Sequence, residues 1–157
     1  MNMIKSFILF PFLIILLLSS CAYQKMYSFD QKKFYIQEFE INGDTRETFI
    51  IQKKIQRFSN KDSSNKIKIL IDLKKDRTIK EKNIQNKVIK YNLSLIANVE
   101  IIDLNTTKKI KRTFSANQSY NVEDSYSTTV NNSKNANNLL IDEIVDGILD
   151  QLRIYYS

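Results

Sequence analysis

The 157-residue chain has no histidine or tryptophan, two glycines, one proline and one cysteine, Cys21. Histidine and activated cysteine are the commonest general bases, nucleophiles and metal ligands, so their scarcity removes most routes to catalysis and to a metal site. A lone cysteine forms no disulfide within the chain, and two distant glycines do not build a phosphate-binding loop. Carboxylate chemistry stays open in principle, but the acidic residues are scattered. We therefore expect a protein that is not an enzyme and that needs no cofactor or metal.

The N-terminal segment has the features of an export signal. Lys5 precedes an apolar run at residues 7–18, and small residues follow before Cys21, a pattern typical of a secretory signal peptide. A transmembrane anchor with an incidental cysteine is the alternative. The run is too short for it, since a spanning helix needs roughly 20 apolar residues, and Pro11 interrupts it.

The end of this segment, Leu18-Ser19-Ser20-Cys21, resembles the lipobox of bacterial lipoproteins. That resemblance implies diacylation of the Cys21 sulfur and cleavage just before it. Residues 1–20 would then be a signal peptide, residues 21–33 a lipidated tether, and residues 34–157 a single domain. Acyl chains anchor a protein without making it span the membrane, because each buried methylene contributes about 0.8 kcal/mol. Ala22, in place of aspartate, favours transport to the outer membrane in such lipoproteins, so we expect a lipid anchor on its periplasmic side.

The chain is basic, with 24 lysines and arginines against 17 acidic residues and a formal charge of +7. In an exported protein this charge suits anionic lipid or lipopolysaccharide, and we expect no nucleic-acid partner. The joint richness in lysine, asparagine and isoleucine is also what an AT-rich genome produces. The charge alone therefore carries little weight.

The first part of the expected domain indicates a strand and then a helix. Residues 34–41 are rich in aromatic and β-branched side chains and stop at Asn42-Gly43, a turn signal. Asp44, with Glu47 three residues later, is close to a capping box. Apolar residues then recur at helical spacing at Ile51, Ile55 and Phe58.

Alternating apolar residues predict three further strands. Ile67, Ile69, Ile71 and Leu73 form the apolar side of the second strand. Residues 74–87 are basic and polar, and we expect them to connect the second strand to the third. A long hairpin follows, with strands at residues 89–101 and 110–120 around a turn at residues 103–107.

The C-terminal segment changes to a period of about 3.6 residues, which predicts a helix from about Thr129 to Tyr155. Its apolar stripe is wide enough to cover the apolar side of the hairpin, and includes Leu140, Ile144, Ile148 and Leu152. The expected fold class is α+β, a two-layer sandwich in the order β-α-β-β-β-α. Two helices would lie on one face of a four-stranded, mostly antiparallel sheet.

The opposite side of the hairpin is polar, and we consider it a candidate partner face. Ordinary solvated strand positions are the equal alternative. The candidate residues are Lys90, Asn92, Ser94, Lys109, Lys111, Thr113, Ser115 and Asn117, with Ser119 at the end of the row.

Taken together, the mature chain resembles the lipopolysaccharide-assembly lipoproteins, the LptE family. The resemblance rests on the lipidated cysteine, the element order and a C-terminal block. That block comprises Phe114, Ser119-Tyr120-Asn121-Val122, Tyr126, and Ala136 leading into Ile144, Ile148 and Leu152. Two features depart from the family: Ala22 replaces a frequent glycine, and Asn135, Asn137 and Asn138 replace small residues. Membership would imply a protein without chemistry that plugs a large outer-membrane β-barrel, helps it assemble and assists lipopolysaccharide delivery to the cell surface.

Within that interpretation, one basic group is a candidate lipopolysaccharide contact, because lysine and arginine bind the phosphates of lipid A through charge-assisted hydrogen bonds. A solvated lysine-rich loop is the favoured alternative. The residues are Lys74, Lys75, Arg77, Lys80, Lys82 and Lys87. Two other roles remain open for the whole protein: an auxiliary lipoprotein of an ABC-type lipid transporter, and a structural lipoprotein without lipid cargo.

Overall fold

The structure is a computed structural model that describes residues 33–43 and 45–156. The predicted signal peptide, the lipidation site at Cys21 and the capping residue Asp44 lie outside the described residues. Those three expectations therefore remain predictions.

Six elements follow one another in the predicted order β-α-β-β-β-α. They are β1 (Tyr35–Asn42), α1 (Thr45–Gln56), β2 (Lys66–Lys82), β3 (Val88–Asp103), β4 (Lys109–Asn121) and α2 (Tyr126–Tyr156). The strands form one sheet in the order β1-β2-β3-β4. Helix α1 carries the chain back across the sheet, so β1 pairs with β2 in parallel, whereas the other two pairings are antiparallel. The α+β fold class is confirmed, with a mixed sheet.

One apolar layer holds the helices on the sheet. Along β2, Ile67, Ile69 and Ile71 are buried while the residues between them are not, as strand alternation requires. The helix stripe predicted from the sequence is buried against this face, with Leu140 and Ile148 at 0% exposure. Among residues 33–43 and 45–156, no helix combines the length and the apolar character needed to cross a membrane.

Helix α2 begins three residues earlier than predicted, at Tyr126. The hydroxyl of Thr129 accepts a hydrogen bond from the Glu123 backbone N–H at 2.8 Å and donates one to the Glu123 carbonyl at 3.1 Å. These bonds tie the first turn to the segment that leaves β4. The apolar stripe starts only at Ala136, so periodicity alone gave no signal for the first turns.

Strand β2 is longer than predicted, and this corrects the expected connection at residues 74–87. The strand continues to Lys82, and only a short turn separates it from β3. In that turn, the Asn83 N–H bonds the Lys87 carbonyl at 2.9 Å, and the Asn83 side chain accepts from the Gln85 and Lys87 amides. Backbone pairing does not require apolar side chains. The charged residues 74–82 therefore pair with β3, whose alternating apolar residues make it a strand in its own right.

The turn between β3 and β4 is joined to the last turn of α2 by one carboxylate. Asp103 accepts hydrogen bonds from the amides of Asn105 and Thr106, both at 2.9 Å, and from the Tyr156 hydroxyl at 3.3 Å. Burial raises the pKa of Asp103, but the amides of Thr106 and Asn105 outweigh it, so the pKa lies below its ordinary value. Burial and the Asp103 charge raise the pKa of Tyr156. The carboxylate therefore stays ionised at neutral pH.

Helix α2 approaches β4 most closely at Gly147. A Cβ atom placed on this glycine would lie 2.8 Å from Cδ1 of Phe114, closer than real side chains approach. Because Gly147 has no side chain, the backbone of helix α2 packs directly against the Phe114 ring.

We predict that the effect of Gly147→Ala on the free energy of unfolding changes sign when Phe114 is replaced by alanine. In the native chain it should lower the free energy of unfolding by about 1–2 kcal/mol, because overpacking against Phe114 exceeds the helix propensity gained by alanine. In a Phe114→Ala background the clash disappears, and Gly147→Ala should raise the free energy of unfolding by about 0.5–1 kcal/mol. Urea unfolding followed by circular dichroism measures both differences. Equal signs in the two backgrounds would contradict the close approach.

Candidate functional site

The side of the sheet away from both helices, named here the open face, carries the candidate partner residues. The register places all eight on it: Asn92 lies opposite Ser119, Ser94 opposite Asn117, and Glu100 opposite Lys111. The Thr113 hydroxyl donates a hydrogen bond to the Asn98 side chain at 2.8 Å across the strands. The sequence pattern therefore located a mostly polar surface, which Ile96 and Ile102 of β3 interrupt. Its role as a partner surface remains a prediction.

The charges of the open face are largely paired. The Lys68 ammonium lies 2.6 Å from a Glu40 oxygen and 3.0 Å from a Glu38 oxygen, and these contacts raise the pKa of Lys68. Glu100 lies between Lys111, at 3.3 Å, and Lys109, at 3.8 Å. Exposed pairs contribute little stability. These ion pairs mix positive and negative side chains across the open face.

A shallow depression of about 420 Å³ crosses the middle of this face. Three carboxylates line it, those of Glu40, Asp72 and Glu100, with one ammonium group, that of Lys111. Arg112 also borders the depression, but its guanidinium lies on the helix side and donates to Gln151. Its formal charge is negative. It therefore suits water or a polar protein wall better than the phosphates of an anionic lipid.

The six candidate lipopolysaccharide residues do not form one loop cluster, which corrects the predicted placement. Five lie on residues 74–82, named here the β2 extension, and Lys87 lies in the turn. Along a strand, successive side chains point to opposite faces. Lys75 and Arg77 accordingly lie on the helix side, and Lys80 reaches Ser119 on the open face at 2.7 Å.

Two of these cations are held by neighbours on the helix side. The Lys75 ammonium donates to Glu47 of α1 at 2.7 Å, and the Glu47 side chain is only 4% exposed. The Arg77 guanidinium lies 4.9 Å from the centre of the Tyr91 ring, which stacks on Tyr120 at 5.6 Å. Lys75 and Arg77 thus stabilise the fold locally. The spacing from Asp44 predicts a capping role for Glu47, whereas no pattern in the sequence indicates its ion pair with Lys75.

The other four cations are exposed. Lys80 bonds Ser119, and the Lys87 ammonium lies 3.7 Å from an Asp124 oxygen whose side chain is fully exposed. Lys74 and Lys82 have no ion pair or side-chain hydrogen bond with the residues that the structure describes. Lys80, Lys82 and Lys87, at the tip of the hairpin, can therefore reach an outside anion at little structural cost.

Comparisons with known proteins show the fold of this chain but do not assign it to a family. No family model and no curated protein matches the sequence. Among solved structures, the chain is similar to rare lipoprotein B from Shewanella oneidensis, with TM-score 0.58 and 10% identity over 77% of this chain and 95% of that one. It is also similar to a minor lipoprotein from Acinetobacter baumannii, with TM-score 0.54 and 16% identity over 78% of this chain and 93% of that one. At these identities the likeness shows the fold: this chain folds as two bacterial lipoproteins do.

Proposed function

We propose that this chain is a lipid-anchored outer-membrane protein of the lipopolysaccharide-assembly type. It occupies the lumen of a large β-barrel, helps that barrel assemble and assists lipopolysaccharide delivery to the cell surface. The proposal assigns it no catalysis and no cofactor. One observation carries it: both helices leave one sheet face uncovered, and most of its strand positions are polar, with paired charges, apart from Leu70, Ile96 and Ile102.

A barrel lumen is the environment that such a face suits. The interior wall of a large outer-membrane barrel is polar and wet, whereas its outside is apolar. Rows of lysine, asparagine, serine and threonine offer that wall many hydrogen-bond partners without an apolar patch. The lipobox at Cys21 and the fold shared with lipoproteins of two bacteria support the same interpretation.

The exposed cations of the hairpin tip are the proposed lipid contact. Lys80, Lys82 and Lys87 carry exposed ammonium groups, and such groups bind phosphate as charge-assisted donors. Lys75 and Arg77 are excluded from this role because Glu47 and Tyr91 already hold them. The negative depression of the open face is excluded by its charge.

A pull-down tests the barrel partner. The protein, tagged at its C-terminus, is extracted in mild detergent from native membranes and its partners are identified by mass spectrometry. We expect one large β-barrel in about equal amount. A Cys21→Ser variant, which has no acylation site, serves as the matched control and should recover much less of it. Subunits of an ATP-driven transporter, or no partner, would contradict the proposal.

The lipid contact has its own test. We expect Lys80→Ser, Lys82→Ser and Lys87→Ser together to weaken lipopolysaccharide binding by the purified protein about tenfold, since exposed charge pairs contribute about 0.2–1 kcal/mol each and tenfold corresponds to about 1.4 kcal/mol. The control removes the same charge from exposed sites elsewhere, at Lys61, Lys108 and Lys134. An equal loss in both triple variants would assign the binding to net charge and remove the hairpin tip as a site.

A further inference from the structure

The β2 extension has a neighbouring strand on one side only. The pairing of β1 with β2 ends where Asn42 meets Asp72, whereas β2 stays paired with β3 as far as Lys82. The chain leaves the sheet at Gly43, whose φ of 124° and close approach to the Leu73 carbonyl suit glycine. Within residues 33–43 and 45–156, no strand continues β1 alongside the extension.

The pairing pattern shows which backbone groups this edge presents. The Lys66 carbonyl accepts a hydrogen bond from the Leu104 N–H at 2.8 Å, in the register that pairs Ile67 with Asp103. Because backbone groups alternate in direction along a strand, even-numbered residues of β2 face β3 and odd-numbered residues face away as far as Ile79, beyond which the register with β3 shifts. The N–H and C=O groups of Lys75, Arg77 and Ile79 therefore point outward.

Such an edge is a template for another strand. Unpaired N–H and C=O groups in alternation bind an extended chain, and strand addition is an established mode of peptide recognition. Like groups recur every second residue, about 6.6 Å apart. An ionised phosphate group offers acceptors alone, whereas a polypeptide supplies donors as well. The geometry therefore selects a peptide over a phosphate.

The side chains of the edge define the charge of its occupant. Two acidic residues, Asp76 and Glu81, stand against five basic ones on the extension, which gives a formal charge of +3. The basic residues are Lys74, Lys75, Arg77, Lys80 and Lys82. A second copy of the same edge would bring like charges together and is disfavoured. The Ile79 side chain, 52% exposed, adds an apolar contact on the helix side.

We propose that the outer edge of the β2 extension binds an extended, carboxylate-rich segment of a partner protein by β-strand addition. Backbone groups of Lys75, Arg77 and Ile79 supply the hydrogen bonds, and the exposed ammonium groups of Lys74, Lys80 and Lys82 select acidic side chains. This inference does not depend on the barrel or lipid roles proposed above.

One substitution separates backbone pairing from charge. Ile79→Pro removes an outward N–H, leaves every charge in place and removes no N–H that faces β3. Ile79→Thr keeps the N–H and serves as the matched control. The probe is a fluorescent peptide of about ten residues in which glutamate alternates with valine or threonine, measured with the full chain in detergent by anisotropy.

We expect Ile79→Pro to weaken peptide binding at least tenfold and Ile79→Thr to change it by no more than about twofold. In the native protein, saturating peptide should slow amide exchange at Lys75, Arg77 and Ile79, a readout that requires no variant to fold. The proposal is overturned if the peptide does not bind, or if Ile79→Pro and Ile79→Thr bind it alike. It is also overturned if amide exchange at these three residues is unchanged, as for an anion held by lysine side chains alone.

Discussion

Helix α2 buries one apolar face of the sheet, and most other features of the structure follow from this packing. Leu140, Ile144, Ile148 and Leu152 are at most 1% exposed, and burying each such side chain contributes about 1.5–3 kcal/mol. Because both helices lie on this one face, the other must meet water or a polar partner. The paired charges around Lys68 and Glu100 follow from that requirement. The open face is thus a direct consequence of where the core lies.

The lengths of the elements determine what stays uncovered. Helix α2 has 31 residues, about 46 Å at 1.5 Å per residue, close to the roughly 50 Å of the 16-residue β3. Helix α1 has 12 residues, about 18 Å, and β1 has eight. Neither extends along all of β2, whose 17 residues span about 56 Å. The β2 extension therefore continues past the end of β1. It is held in place by pairing with β3, by the Lys75–Glu47 ion pair and by the contact of Arg77 with the Tyr91 ring.

Periodicity predicted most of the fold because burial on one face imposes it. Period-two alternation located β3 and β4, and the 3.6-residue stripe located α2 from Ala136 onward. The β2 extension was misjudged as a connection, since its ladder comes from backbone pairing, which side-chain polarity does not report. Periodicity does not report the first turns of α2, because a local hydrogen bond between Thr129 and Glu123 holds them. It does not report the Lys75–Glu47 pair either, because that contact joins residues distant in the sequence. Alternation placed the candidate partner residues on one face, whereas the candidate lipid residues were divided between two.

Strand β2 continues beyond β1 with one bare backbone edge, and its pairing with β3 stays in register as far as Ile79. Native-state amide exchange, resolved residue by residue by NMR in the free protein, is the decisive measurement. We expect the amides of Lys74, Asp76 and Thr78, which face β3, to exchange at least tenfold more slowly than those of Lys75, Arg77 and Ile79. Uniform protection would mean that another element covers the edge, and uniformly fast exchange would mean that the extension is not a strand. Either result would rule out a bare strand edge.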